Sequence, residues 1–181
     1  GPIVKNRCAF TNVEIFINAI ILGVLASLSH FVYKLSGKNL IVGLFNPVNE
    51  SVWEHLKLMF FPFLLWWIVM YIIKSQKYDI SLNTWIESAA VSLVVAPLSV
   101  LLLYYSYTGV FGIESMFIDI LLTFICYFIA LSVASHYLEY SAPNRCTAIV
   151  SVILIIIIFS AFIVFTINPP KLPIFSYNSN K

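Results

Sequence analysis

The residues able to do chemistry are few, and most of them sit close together. The stretch Asn46-Pro47-Val48-Asn49-Glu50-Ser51-Val52-Trp53-Glu54-His55-Leu56-Lys57 holds two Glu, one His and one Lys, in a chain with only 10% charged residues. His30, Tyr107 and Asp119 stand outside it: His30 near the end of the first apolar run, Tyr107 beside Tyr104 and Tyr105, and Asp119 among apolar neighbours. Imidazole and carboxylate together ligate divalent metals such as Zn²⁺. The same groups pass protons in transporters. Charges beside lipid are costly unless paired, wetted or used, so these residues mark a site before any reaction is named.

Spacing divides the set. On one helix, Glu50, Glu54 and Lys57 follow i, i+4, i+7 and share a face, with Ser51 and His55 on an adjacent face. The plain expectation is a snorkelling Lys57 paired with two carboxylates at the water boundary. The sharper one takes His30, His55 and Asp119 as metal ligands, with Glu50, Ser51, Glu54 and Tyr107 completing a polar pocket. Asp119 has Met116, Phe117, Ile118, Ile120, Leu121 and Leu122 around it in sequence. An intramembrane carboxylate of this kind should face the bundle and find a partner. His30, His55 and a Tyr hydroxyl are the candidates; a hydrogen bond alone, or a neutral carboxyl, would also satisfy it. No HExxH or HxxxH pattern occurs. Ser51-x-x-x-His55 is similar to one element of membrane-embedded ceramidase-like metal hydrolases, whose paired His element is missing here.

The elements that must position these residues are membrane helices. Soluble domains are about half apolar and about a quarter charged; this chain is 61% hydrophobic, with a mean hydropathy of +0.95. The fold class is therefore an all-α integral membrane protein. Five segments reach the roughly 20 apolar residues a span needs: 13–33, 47–73, 85–105, 113–134 and 148–167. They form a bundle in a single membrane domain over 1–181, ending in a Pro-rich tail, 168–181. The first reads as a retained helix rather than a signal peptide, because Phe31, Val32 and Tyr33 continue its apolar run past the small residues. Gly1-Pro2 reads as a protease-cleavage remnant. The segment 39–45 is too short to span, and either dips into the interface as a re-entrant turn or packs on the bundle. Asn46-Pro47 reads as N-cap and first helical position of the second span. At about 40 Å that helix exceeds a hydrocarbon layer of about 30 Å, so its charged first turns fall at headgroup depth.

Five crossings bring the end of the first span, the start of the second, the end of the third and the start of the fourth to one face. His30, Glu50–Lys57, Tyr107 and Asp119 thus share that face. The tail arrives there too, and its Pro169, Pro170 and Pro173 stiffen it. It either folds over the bundle mouth as a lid or hangs free. At the other face His136, Glu139, Arg145 and Glu87 read as interface markers, and Trp and Tyr in part form aromatic belts. Lys and Arg divide evenly between the faces, leaving orientation undecided by charge. A net charge of +2 is too small to suggest nucleic acid. Cys8, Cys126 and Cys146 have neither pairing nor metal-type spacing.

His30-Phe31-Val32-Tyr33, Asn49 to Leu58 (NESVWEHLKL), Tyr107-Thr108-Gly109, and Asn168-Pro169-Pro170 with Pro173 and Phe175 resemble an uncharacterised family of small bacterial multi-pass membrane proteins, a domain of unknown function. The likeness covers nearly the whole chain. It implies a bacterial cytoplasmic-membrane location and no particular activity. Members end in an Asp-Pro-x-Thr-Gly-x-Tyr-Gly-like segment; this chain ends Phe175-Ser176-Tyr177-Asn178-Ser179-Asn180-Lys181. The residues themselves lead to a small-ligand or ion-binding membrane protein, with a transport role in view. Two alternatives stand beside it: an intramembrane metal-dependent hydrolase, and a non-catalytic scaffold. Enzyme status and oligomeric state are left open, and Zn²⁺ or another divalent metal is the only cofactor implied.

Overall fold

The computed structural model describes residues 8–177, and among these all regular structure is helical. Its helices are α1 (Asn12–Leu35), α2 (Leu40–Phe45), α3 (Val52–Ser75), α4 (Leu82–Phe111), α5 (Met116–Tyr140) and α6 (Arg145–Ile167), followed by a 3₁₀ turn at Pro173–Phe175. Every helix but α2 is long and apolar enough to cross a membrane. α4 lies against α3, α5 and α6, and α1 against α3 and α5.

Local chemistry sets the helix starts. Thr11 and Glu14 form a reciprocal capping box at α1: the Glu14 amide donates to Thr11 Oγ1 at 3.2 Å, and the Thr11 amide donates to Glu14 Oε2 at 2.8 Å. α3 begins five residues later than the Asn46-Pro47 signal implies. Asn46 instead closes α2, its backbone N–H donating to the Val42 carbonyl. Residues 46–51 then form a loop, and Ser51 caps α3 by accepting the Glu54 amide at 3.3 Å. Pro47 fits this loop because its fixed φ suits extended backbone as well as a first helical turn. The charged stretch is therefore a loop followed by a helix start, not an overlong helix.

The interior is aromatic and small at once. Phe60, Phe63 and Trp67 of α3, Trp85 and Leu93 of α4, and Tyr127 of α5 are buried. Trp66 joins them, so Trp66, Trp67 and Trp85 belong to the core rather than to an interfacial belt. Ala26, Ala96, Ala130 and Ala134 let backbones approach. Gly23 of α1 makes room for a ring, since an added Cβ there would lie 2.3 Å from the Phe124 side chain of α5. Outward faces carry Ile17, Ile20, Leu28, Ile68, Ile149 and Ile156, as a surface solvated by lipid requires.

Pro62 lies inside α3. Lacking an N–H, it leaves the Leu58 carbonyl without its helical donor, and hydrocarbon supplies no water to replace it. The hydroxyl of the fully buried Tyr127 on α5 donates to that carbonyl. Cys8 and Cys126 are buried thiols, Cys146 is exposed, and none of them is in a disulfide.

Candidate functional site

Three side chains from three different elements converge at one face. His30 comes from the last two turns of α1, Glu50 from the loop before α3, and His55 from the first turn of α3. Glu50 lies between the rings: its Oε1 is 3.6 Å from His30 Nε2 and its Oε2 is 3.4 Å from His55 Nε2. One ligand atom from each residue lies within 4.8 Å of the others. The two imidazoles stack, centroids 5.1 Å apart at 26°. Lys34, one turn beyond His30 on α1, brings its Nζ to 3.7 Å from Glu50 Oε1.

The tautomer of a neutral His55 follows from its neighbour. Its Nδ1 is 2.8 Å from the Ser51 carbonyl oxygen, which can only accept. Nδ1 therefore carries the hydrogen, and in the neutral ring Nε2 presents a lone pair. That lone pair faces a carboxylate oxygen at 3.4 Å. Two acceptors so placed repel unless a proton or a metal cation lies between them. Metal-bound His commonly donates its second ring nitrogen to a backbone carbonyl in this way. With bonds of about 2.0–2.1 Å, tetrahedral Zn²⁺ sets its ligand atoms about 3.3–3.4 Å apart; each imidazole lies near that spacing from a different Glu50 oxygen, and the three ligand atoms lie within 4.8 Å of one another.

Glu54 and Lys57 do not belong to this group. They are 3% and 0% exposed and pair at 2.5 Å. Lys57 Nζ also donates to the carbonyls of Gly43 at 2.8 Å and Asn46 at 3.5 Å, at the end of α2. Glu54 Oε2 accepts the Val48 amide at 3.1 Å. The pair fastens α2 and the 46–51 loop to α3. The expected shared face of Glu50, Glu54 and Lys57 is thus absent, because Glu50 precedes the helix. Lys57 does not snorkel; it is buried and saturated. Ser51, buried at the N-cap, acts through its hydroxyl on Glu54 and through its carbonyl on His55.

Asp119 finds the third of its expected partners. Tyr107 Oη, near the end of α4, donates to Asp119 Oδ1 at 2.6 Å, and the Ser115 amide donates to Tyr107 Oη at 3.3 Å. This network closes the α4–α5 corner. Asp119 is not among the residues whose ligand atoms converge. Glu50, not Asp119, is the carboxylate between the histidines. Asp119 sits on a different helix and is already engaged by a phenol. Lys34 was visible in the sequence only as a boundary charge; its i, i+4 spacing from His30 was the available signal.

The tail folds back onto α3. Phe175 packs at a tilt against Trp53 with centroids 5.0 Å apart and meets Phe165 at 5.4 Å. At the opposite face Glu87 is more than an interface marker. It is buried and accepts hydrogen bonds from Tyr137 at 2.9 Å and from the Thr147 hydroxyl, tying α4 to α5 and α6.

The model of a protein family, described as "Family of unknown function (DUF6512)", matches residues 4–180. No curated protein matches the chain, and no solved structure does.

Proposed function

The chain belongs to that family of unknown function, and from this premise we propose that it binds one divalent transition-metal cation at a membrane face through His30, Glu50 and His55. The observation that carries this reading is the convergence of three ligand atoms: the Glu50 carboxylate lies 3.4 Å from His55 Nε2, whose ring is oriented by the Ser51 carbonyl, with His30 on the other oxygen. Two imidazoles and one carboxylate suit Zn²⁺ better than Mg²⁺ or Ca²⁺, which prefer all-oxygen sets. The interior favours binding at the face over passage through the bundle. Phe60, Phe63, Trp67 and Tyr127 fill the space between the helices, the Phe63 ring meeting Trp67 and Tyr127 and the Phe60 ring meeting Phe61 and Phe162.

The experiment is metal analysis and Zn²⁺ titration of the purified protein in detergent. One equivalent is expected to bind the wild type. His55→Ala and Glu50→Gln should each weaken binding by more than about 100-fold, beyond what loss of an outer-shell partner does. If no Zn²⁺ is retained, or if both variants bind like the wild type, the reading is wrong.

A second reading, a metal-dependent hydrolase, has one observation in its favour. Three protein ligands leave a fourth position on Zn²⁺ for water, as hydrolytic zinc sites do. Turnover of ester or amide lipids by the Zn²⁺-loaded protein, lost in Glu50→Gln, would select it over simple binding.

A further inference from the structure

We infer that the cation held at this site takes a phosphate group as its outside ligand, and that Lys34 holds that phosphate. The inference rests on the cation-binding reading above and names what completes it.

Lys34 Nζ and His30 Nε2 address the same oxygen, Glu50 Oε1, at 3.7 and 3.6 Å. A carboxylate oxygen that turns to a metal has little charge left for an ammonium, so metal binding deprives Lys34 of its partner. The Lys34 side chain is 67% exposed, free to swing within reach of the same spot. It stands one turn beyond His30 on the same side of α1. Charge points the same way. A divalent ion with Glu50 and Lys34, both imidazoles neutral, leaves two positive charges in excess.

Such a site requires an anion. Phosphate fits the geometry because separate oxygens can reach the metal and the ammonium at once, making charge-assisted bonds to each. Location narrows the source. Lys34 is in the last turn of α1, at the end of a helix long enough to cross a membrane, where lipid phosphates lie. The shared chemistry is a phosphate oxyanion, supplied by a lipid headgroup or by free phosphate.

The test uses the full chain in dodecyl maltoside loaded with Co²⁺, whose visible bands report its coordination. Inorganic phosphate is expected to change those bands saturably. Lys34→Gln should keep the phosphate-free spectrum of the wild type but need about tenfold more phosphate, the loss of one charge-assisted contact. Lys34→Arg should respond like the wild type. A second arm places the Co²⁺ protein in phosphatidylcholine nanodiscs with and without phosphatidic acid, in the absence of phosphate. A spectral change with phosphatidic acid assigns a lipid headgroup; a change with inorganic phosphate alone assigns the free ion. If Co²⁺ stays bound and neither probe moves its spectrum, or Lys34→Gln responds like the wild type, this inference fails by itself. If the protein retains no Co²⁺, the cation-binding reading fails, and this one with it.

Discussion

Two glutamates four residues apart lead opposite lives. Glu54 is sealed in the bundle, its carboxylate spent on Lys57 and on the Val48 amide. Glu50 is 52% exposed and lies 3.4–3.7 Å from two imidazoles and an ammonium, without a short bond to any of them. The first arrangement satisfies its donors and acceptors and holds three elements together. The second keeps Lewis-basic atoms close, loosely joined and reachable from outside. A saturated ion pair is poor at binding anything further, whereas an undersatisfied cluster can bind. Exposure and bond length, rather than residue type, separate the structural charge from the candidate functional one.

That contrast can be broken by mutation. Lys57→Met should have the largest effect on stability, about 3–5 kcal/mol, because it strands the buried Glu54 carboxylate. The double change Glu54→Leu with Lys57→Met should cost less than the single one, and denaturation in mixed micelles measures both. Equal tolerance of Lys57→Met and Glu50→Gln would erase the distinction. Asp119→Asn comes next. It weakens the bond from Tyr107 that closes the α4–α5 corner, for about 1–3 kcal/mol, and it should leave Zn²⁺ affinity within a few-fold of the wild type. A large loss of Zn²⁺ with Asp119→Asn would return Asp119 to the ligand set. Glu50→Gln should shift stability by less than about 1 kcal/mol, as exposed pairs do, while abolishing tight Zn²⁺ binding. Lys34→Gln should be smallest, within about 0.5 kcal/mol in the same unfolding assay. Glu50→Gln thus moves from near the bottom of the stability ranking to the top when Zn²⁺ titration is the readout.

The spans were legible because five apolar runs exceed what any soluble element needs, and no loop between them is long enough to mislead. Threading alone brought His30 and His55 to one face. The start of α3 was not legible, since two valid capping signals compete: Asn46-Pro47, and Ser51 with Glu54 three residues on. The second wins because Asn46 is needed to end α2. Every spacing argument that treated Glu50 as helical fell with that choice. Burial of Lys57 was hidden for a related reason. Its acceptors are the Gly43 and Asn46 carbonyls, and backbone groups leave no trace in residue types. The Glu87 link to α6 left no trace in the sequence, because its partner is a single Thr147 hydroxyl on a helix 60 residues away.

The bond from Tyr127 to the Leu58 carbonyl has a consequence for how the chain is made. Translation delivers α3 well before α5. In that interval Pro62 has already broken the α3 ladder, and the donor that repairs it has not yet been synthesised. On its own, then, α3 is a poorer lodger in hydrocarbon than its hydropathy implies, for an unmet carbonyl is costly there. Its lasting residence depends on a residue 69 positions downstream, which makes α5 the clasp that commits the earlier helices to their final arrangement.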